Sequence, residues 1–410
     1  MTTRPTYILV VLAITNLVAY AARNALFAVY PTLKARYGID DSDLGLLQTV
    51  FMIPHAAATL PFGWAGDRFD RRRVIAVGVI VASLAGAAGA IGSSYWGLAA
   101  SRAAVGLGTA AVVPVANSIL GQIFDGPQKA SRFAVFNLGL FLGGVLGFAS
   151  GIALDFPLVV IALAVPGLVL AVLVARLPIP EPSRSPVSPV AMLKLFVREA
   201  GVLLRIRTLR WMIGSTTVMA FAAGGYNAWL KEFLVRDKGM SDEEATMLLV
   251  LALCGGLSGI VVGARIADRL RARARAGRLW TIVLGMLLTT PCAVIAIEIP
   301  AGIGLYVAGV ATLFFISWYH APMAATVDDL APEGLSVAAQ GLVIFTMHMV
   351  GTAPSSWLVG EVSESSTLHA AMWVPTAGLL VAAGCMAVAT TSFAADHARA
   401  RGGSPGARSL

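Results

Sequence analysis

The chain has 410 residues, of which 57% are hydrophobic and only 13% charged, and its mean hydropathy is +0.79. A soluble core cannot absorb that much apolar surface, so the composition excludes a water-soluble globular protein and points to the lipid bilayer as solvent. The formal net charge of +8 does not argue for nucleic acid, because the basic residues gather in short segments between apolar runs, where they carry topology.

Crossing about 30 Å of hydrocarbon takes roughly 20 apolar residues in a helix. Twelve stretches qualify, approximately 6–31, 43–65, 74–93, 96–122, 132–154, 157–177, 209–234, 244–264, 279–298, 301–327, 336–360 and 370–394. The first has no small-residue cleavage pattern and reads as an uncleaved membrane helix. With the N-terminus inside, most of the 30 lysines and arginines fall on the cytoplasmic side, so both termini are expected there. Cys254, Cys292 and Cys385 lie far apart in apolar runs without ligand spacing, so neither a disulfide nor a metal site is expected.

Between the sixth and seventh stretches lie Pro178, Pro180, Pro182, Pro186 and Pro189, which no helix accommodates. They divide the chain into a first bundle over 1–177, a linker over 178–208 and a second bundle over 209–394. In the linker, Leu193, Leu195, Phe196 and Leu203 alternate with Lys194, Arg198 and Arg205, a pattern that fits either an amphipathic helix on the cytoplasmic lipid face or a solvated tether. Residues 395–410, rich in Arg, Gly and Ser, read as a disordered tail. The fold class expected is an all-α polytopic membrane protein of 12 transmembrane helices in two pseudo-symmetric six-helix bundles.

Two polar hinges echo each other. Gly63, Gly66, Asp67, Arg68, Asp70, Arg71, Arg72 and Arg73 follow the second stretch, and Gly263, Arg265, Asp268 and Arg269 follow the eighth. Glycine permits a sharp turn and close approach, and a terminal Asp can bond exposed N–H groups or an arginine in one conformation and release them in another. Asp67, Arg68, Arg72, Arg265 and Asp268 are therefore candidate gating residues, although arginines in such loops also serve topology alone. Repetition in both halves fits a carrier whose halves rock about a central site.

An arginine near a span's centre costs about 2.5–3.5 kcal/mol, so it is kept for a partner or a function. Arg23 and Arg102 are the two here, and no acid is left inside a span to pair with either. An anionic ligand, backbone carbonyls or water must then satisfy them. Asn16, Tyr20, Arg23, Phe27 and Tyr30 recur at helical spacing as one stripe, and Arg102, Gly106, Thr109 and Asn117 share another face. The candidate substrate residues are Arg23, Tyr20, Asn16, Arg102, Asn117, Tyr226, Asn227, Tyr319 and His348. Since imidazole titrates near neutral pH, His55 and His348 are candidates for proton coupling, against the plainer reading of hydrogen-bonded packing residues. The glycines at 139, 143, 144, 147 and 151 are expected to let helices pack closely and to bind nothing.

The paired hinges and twelve spans resemble the major facilitator superfamily. Asn16, Tyr20, Arg23 and Asn24 in span one, Gly45, Gln48 and Phe51 in span two, Arg102, Gly106 and Gly108 in span four, Pro322 in span ten and His348 with Gly351 in span eleven are similar to its spinster-like branch. That resemblance implies a carrier for lysophospholipids, sphingosine phosphate or related amphiphiles. It also implies acids where this chain has Ala22, Thr109 and Thr352, so coupling through those acids is not inherited. The reading is a secondary active or facilitative transporter working by alternating access on an amphipathic anionic or zwitterionic lipid-like substrate. Alternatives are a carrier of small organic anions or drugs, and a non-transporting sensor on a carrier fold. No cofactor, no nucleic acid and no enzymatic step is expected, since no nucleophile–base pair sits at membrane depth and no phosphate-binding Gly-rich motif occurs. Expected partners are the substrate, membrane lipid and protons, the protein acting as a monomer in the cell membrane.

Overall fold

The computed structural model describes residues 3–124, 129–179, 188–332 and 335–402, and within these the side chains of a few positions, among them Asp67 and Arg68, lie outside the description. The chain forms two compact units, one of Met1–Pro189 with Ser356–Glu364 and the other of Val190–Ser355 with Ser365–Leu410. Among the described residues there is no strand.

The first unit contains α1 (Thr3–Ala28), α2 (Tyr30–Tyr37), α3 (Asp41–Arg68), α4 (Arg71–Ile91), α5 (Tyr95–Thr109), α6 (Val112–Ile123), α7 (Lys129–Leu154) and α8 (Leu158–Ala175). Polar residues set the starts. Asp40 accepts from the Asp43 N–H at 2.8 Å, Asp70 from the Arg72 N–H at 3.0 Å and Ser94 from the Gly97 N–H at 3.1 Å, each satisfying a donor that the first turn leaves free. Pro31 opens α2 after a break at Val29, and Gly38 closes it in the left-handed conformation at φ 62°. Pro114, which lacks an N–H, sits two residues into α6, just past the break that separates it from α5.

The seam between α1 and α7 fixes the rotation of α1 about its axis. A Cβ on Gly139 would lie 2.9 Å from the Ala13 carbonyl oxygen, and one on Gly147 only 2.6 Å from that of Ala21. Backbone thus meets backbone along the glycine stripe, as its spacing predicts. Leu12, Ile75, Val112, Ile119, Leu120, Phe136 and Val174 fill the core of this unit.

In the second unit, α9 (Pro189–Leu203) precedes α10 (Arg207–Arg236), α11 (Asp242–Arg273), α12 (Gly277–Glu298), α13 (Ile303–Ile316), α14 (His320–Leu330) and α15 (Ser336–Thr346); α16 (Ala353–Ser365), α17 (Leu368–Ala371) and α18 (Trp373–Gly402) complete the chain. A 3-10 turn at Ser317–Tyr319 joins α13 to α14, and a π turn at Met347–Thr352 joins α15 to α16. Leu209, Met212, Leu279, Ile282, Leu330 and Met386 make its main core, onto which α9 packs through Phe196 and Leu203. Val190, Leu193 and Val197 of α9 remain exposed.

Eleven helical segments among the described residues are long and apolar enough to cross a bilayer. The remaining expected span, 209–234, is α10, whose 30 residues suffice in length but carry Arg207, Arg210, Lys231, Glu232 and Arg236. Lys231 is nonetheless buried and ion-paired to Asp242. The tail differs from its expectation. Residues 395–402 continue α18, because the buried Asp396 carboxylate accepts both the N–H and the hydroxyl of Thr208 at 2.8 Å; residues 403–410, like 180–187 of the proline-rich linker, lie outside the described set.

Candidate functional site

The first unit gathers its polar groups around one ring. Phe51, fully buried on α3, has the Arg102 guanidinium 4.6 Å and the Arg23 guanidinium 5.7 Å from its ring centre, and Arg23 also lies 5.8 Å from the Tyr20 ring. A desolvated cation over an aromatic face gains about 2 kcal/mol, which holds the arginines in place without neutralising them. Gly106 makes this approach possible, since any Cβ there would collide with the Phe51 carbonyl. One turn earlier on α5, Arg102 is thereby carried against the ring.

Neither arginine ion-pairs with a carboxylate among the described residues. Arg102, only 4% exposed, donates from Nη1 to the Ala22 carbonyl at 3.4 Å and from Nη2 to the Arg23 carbonyl at 3.3 Å. Both bonds are longer than the usual 2.9–3.0 Å. The Nε atoms of Arg102 and of the half-buried Arg23 have no hydrogen-bond partner. A guanidinium carries five donors, so a good part of this pair's capacity is left for an acceptor.

Asn16, Tyr20, Arg23, Phe51, His55 and Thr109 line one recess of about 270 Å3. Asn16 is buried at its edge and donates to the Phe136 carbonyl at 3.1 Å, so half of its amide holds α1 to α7. His55 Nδ1 lies 3.2 Å from the Gly106 carbonyl oxygen and 3.1 Å from Thr109 Oγ1. A carbonyl only accepts, so the 3.2 Å contact fits the tautomer with the proton on Nδ1. Thr109 in turn donates to the Val105 carbonyl at 2.9 Å. The position where the resemblance implies an acid therefore holds a hydroxyl bonded to a histidine, and Ala22 supplies a carbonyl to Arg102.

The expected stripe on α1 is only partly a site. Phe27 and Tyr30 are buried in packing, Phe27 against Phe148 with ring centres 6.2 Å apart and Tyr30 with its hydroxyl on the Leu44 carbonyl at 3.4 Å. Asn117 lies on α6 outside the recess, its Oδ1 buried without a partner. Phe51 is the member that polarity and spacing did not single out as a ligand-site residue, although its place four residues before His55 on one helix face was a usable signal.

Asp41 was missed as well. It is buried at the start of α3, takes Lys34 at 2.6 Å on one oxygen and the Ser363 hydroxyl at 2.6 Å on the other, while Ser42 donates to Glu361 at 2.6 Å. These bonds pin Ser356–Glu364 within the first unit.

In the second unit, Tyr226 shares a 2.5 Å hydrogen bond with Thr376, Asn227 is exposed one residue on, and Tyr319 ends the 3-10 turn with its ring centre 4.0 Å from that of His320. His348 lies in the π turn, where Thr352 donates to the Met347 carbonyl at 3.3 Å, five residues back. Of the candidate gating residues, Asp67 and Arg68 fall outside the described side chains. Arg72 bonds both oxygens of Asp70, the shorter contact being 2.8 Å, and reaches the Leu177 carbonyl at 3.4 Å. Those Arg72 bonds hold the Asp70 carboxyl below the usual carboxylate range, although partial burial works against them. Arg265 and Asp268 are exposed on α11.

Helices long and apolar enough to span a membrane, glycine-mediated backbone contact and a charged recess between helices define the class of a polytopic membrane protein. A sequence profile of the Major Facilitator Superfamily matches residues 12–356, and the chain belongs to that family. Its relatives include Protein spinster homolog 3 of Danio rerio, 28% identical over 389 residues covering 88% of this chain and 78% of that protein. Sphingosine-1-phosphate transporter SPNS2 of Danio rerio is 26% identical over 390 residues, covering 87% and 75%. Among solved structures, a bacterial homologue of the human lysosomal transporter Spinster, in an inward-facing and unoccupied conformation, superposes with a TM-score of 0.82 at 18% identity over 97% of this chain and 99% of that one. At that identity the likeness concerns the fold. The protein is a multi-pass membrane transporter with a small substrate, and it is not an enzyme.

Proposed function

We propose that the substrate is an amphipathic anionic or zwitterionic lipid-like molecule, such as a lysophospholipid, moved by alternating access. The observation that carries this reading is the pair of guanidinium groups on Phe51 that no carboxylate among the described residues neutralises. An anionic head group would supply the missing acceptors, and the names of the spinster relatives support the same chemistry. Tyr20 and Asn16 flank the head group beside Arg23. Tyr226, Asn227, Tyr319 and His348 are the second unit's contributors, and Asp67, Arg68, Arg72, Arg265 and Asp268 serve the gates. The protein works as a monomer in the cell membrane with both termini cytoplasmic, α9 lying on anionic lipid through Val190, Leu193 and Val197 with Lys194 and Arg198 at the water edge.

Counterflow of labelled lysophospholipid in proteoliposomes, set against small organic anions, tests the reading. The lipid should exchange, and Arg23→Ala should reduce exchange at least tenfold; undiminished exchange and affinity in that variant would remove the anion-binding role. A protein that binds but shows no counterflow would be a sensor. Proton coupling through His348, with His55 as the second candidate, predicts that His348→Gln loses accumulation driven by a pH gradient while exchange survives.

A further inference from the structure

A second cleft of about 700 Å3 lies wholly within the first unit, bounded by α1, α4, α5 and α8. Packed interiors hold few voids larger than a water molecule, so an apolar cleft between four helices is a departure from ordinary packing. Its walls are small or apolar, among them Val18, Ala22, Gly86, Val105, Ala164 and Gly167. Two of its hydroxyls are already used on their own helices, Thr15 donating to the Val11 carbonyl at 2.7 Å and Thr109 to that of Val105 at 2.9 Å. A space so lined favours hydrocarbon over water.

Ser83 and Ser101 add two more hydroxyls to the lining, and one charged side chain stands out against it. Arg102 lines the cleft, is buried to 4% exposure, and keeps an Nε without a partner. Ala19 and Thr109 line both this cleft and the recess that holds Arg23, so the two spaces adjoin across α1 and α5. A positive charge at one side of an apolar cleft matches a single-chain amphiphile with an anionic head.

We propose that this cleft receives the hydrocarbon chain of the transported amphiphile, with the anionic head held between Arg102 and Arg23. The assignment rests on the lipid-like substrate proposed above and adds where its chain goes and what measures its length. Gly86 offers a way to shorten the cleft. A Cβ there would meet only Val160 Cγ1 at 3.5 Å and Val105 Cγ2 at 3.8 Å, which is ordinary contact, so a larger side chain has room to project from α4 into the cleft. Gly167 does not, because a Cβ there would strike the Ser83 hydroxyl.

The test uses the full-length purified protein and n-alkyl phosphates from octyl to hexadecyl as probes, with equilibrium affinity read for each. Burying one methylene is worth about fourfold in affinity, so affinity should climb by about that factor per carbon and then level off once the cleft is full. In Gly86→Leu the levelling should come at a shorter chain, with at least a tenfold loss for hexadecyl phosphate and none for octyl phosphate. Ala164→Leu, which fills the cleft from α8, should shift the profile in the same direction, and thermal unfolding identifies which variants are folded. An unchanged chain-length profile in folded variants would overturn the proposal. So would equal competition by a two-chain phosphatidic acid in vesicles, which would make the cleft a seat for bilayer lipid. Binding is read without translocation, so a shifted profile in a protein that shows no counterflow would break the transport reading and leave the chain cleft standing.

Discussion

The two units differ in how their buried charges are satisfied. In the second unit Lys231 is paired with Asp242, Tyr226 with Thr376, and Thr208 with Asp396. The first unit leaves Arg23 and Arg102 on an aromatic ring, with long contacts or none and no carboxylate partner among the described residues. Closed bonds contribute to stability, whereas unfilled donors are capacity held for a ligand. The difference supports the proposal that charge is recognised chiefly in the first unit.

Four substitutions break or sharpen that contrast. The largest effect on stability is expected from Asp396→Ala, which strips two hydrogen bonds from Thr208 in a buried setting and should cost about 3 kcal/mol in thermal unfolding while leaving substrate affinity alone. A loss below about 0.5 kcal/mol, the size of an ordinary surface change, would mean that the second unit's closed bonds are not what holds it. Arg23→Ala should do the reverse, lowering affinity for an anionic amphiphile by about ten- to a hundredfold, the worth of a charge-assisted hydrogen bond, with unfolding temperature unchanged. A destabilised Arg23→Ala protein would place the arginine among structural groups. Tyr226→Phe should cost about 1 kcal/mol of stability through the lost bond to Thr376. A tenfold affinity loss in this variant would support the substrate contact proposed for Tyr226 and erase part of the contrast, whereas unchanged affinity would leave Tyr226 a structural group.

The smallest change is expected from Asp70→Asn, within about 0.5 kcal/mol, because the amide can still cap α4. Its pH dependence is the informative part. Arg72 depresses the folded-state pKa of Asp70, so the carboxylate's contribution is present above the ordinary value of about 3.9 and is lost as pH falls through the lowered folded value. The wild-type advantage in unfolding temperature should therefore be full at neutral pH and close in acid. An advantage that persists in acid would show that the ion pair is not its source.

Local spacing was legible in the sequence wherever the physical cause is itself local. The glycines of α7 announced close packing because a residue without a side chain every third or fourth position admits a neighbouring backbone, and α1 occupies that groove. Arg23 and Arg102 stood out because charge at membrane depth demands an account. What stayed hidden depends on partners far along the chain. Phe27 and Tyr30 continue the stripe of Tyr20 and Arg23, yet Phe148 and Leu44 cover them. Phe51 looked like any apolar residue of a span until two guanidinium groups from other helices met its ring. Helix 395–402 read as a tail because its anchor, Thr208, lies 188 residues before Asp396. The 3-10 and π turns in the tenth and eleventh spans carry no composition that marks them.

The π turn at Met347–Thr352 also has an arithmetic consequence. Relative to a continuous α-helix it adds one residue, which rotates everything after it by about 100°. Gly351 sits where a Cβ would strike the Thr217 carbonyl, and Ser356–Glu364, just beyond the turn, belong to the first unit while Ser355 belongs to the second. The extra residue is therefore a phase shift written into one span. Deleting a single residue there would let the turn close as ordinary α-helix and leave every side chain downstream facing the way it already does.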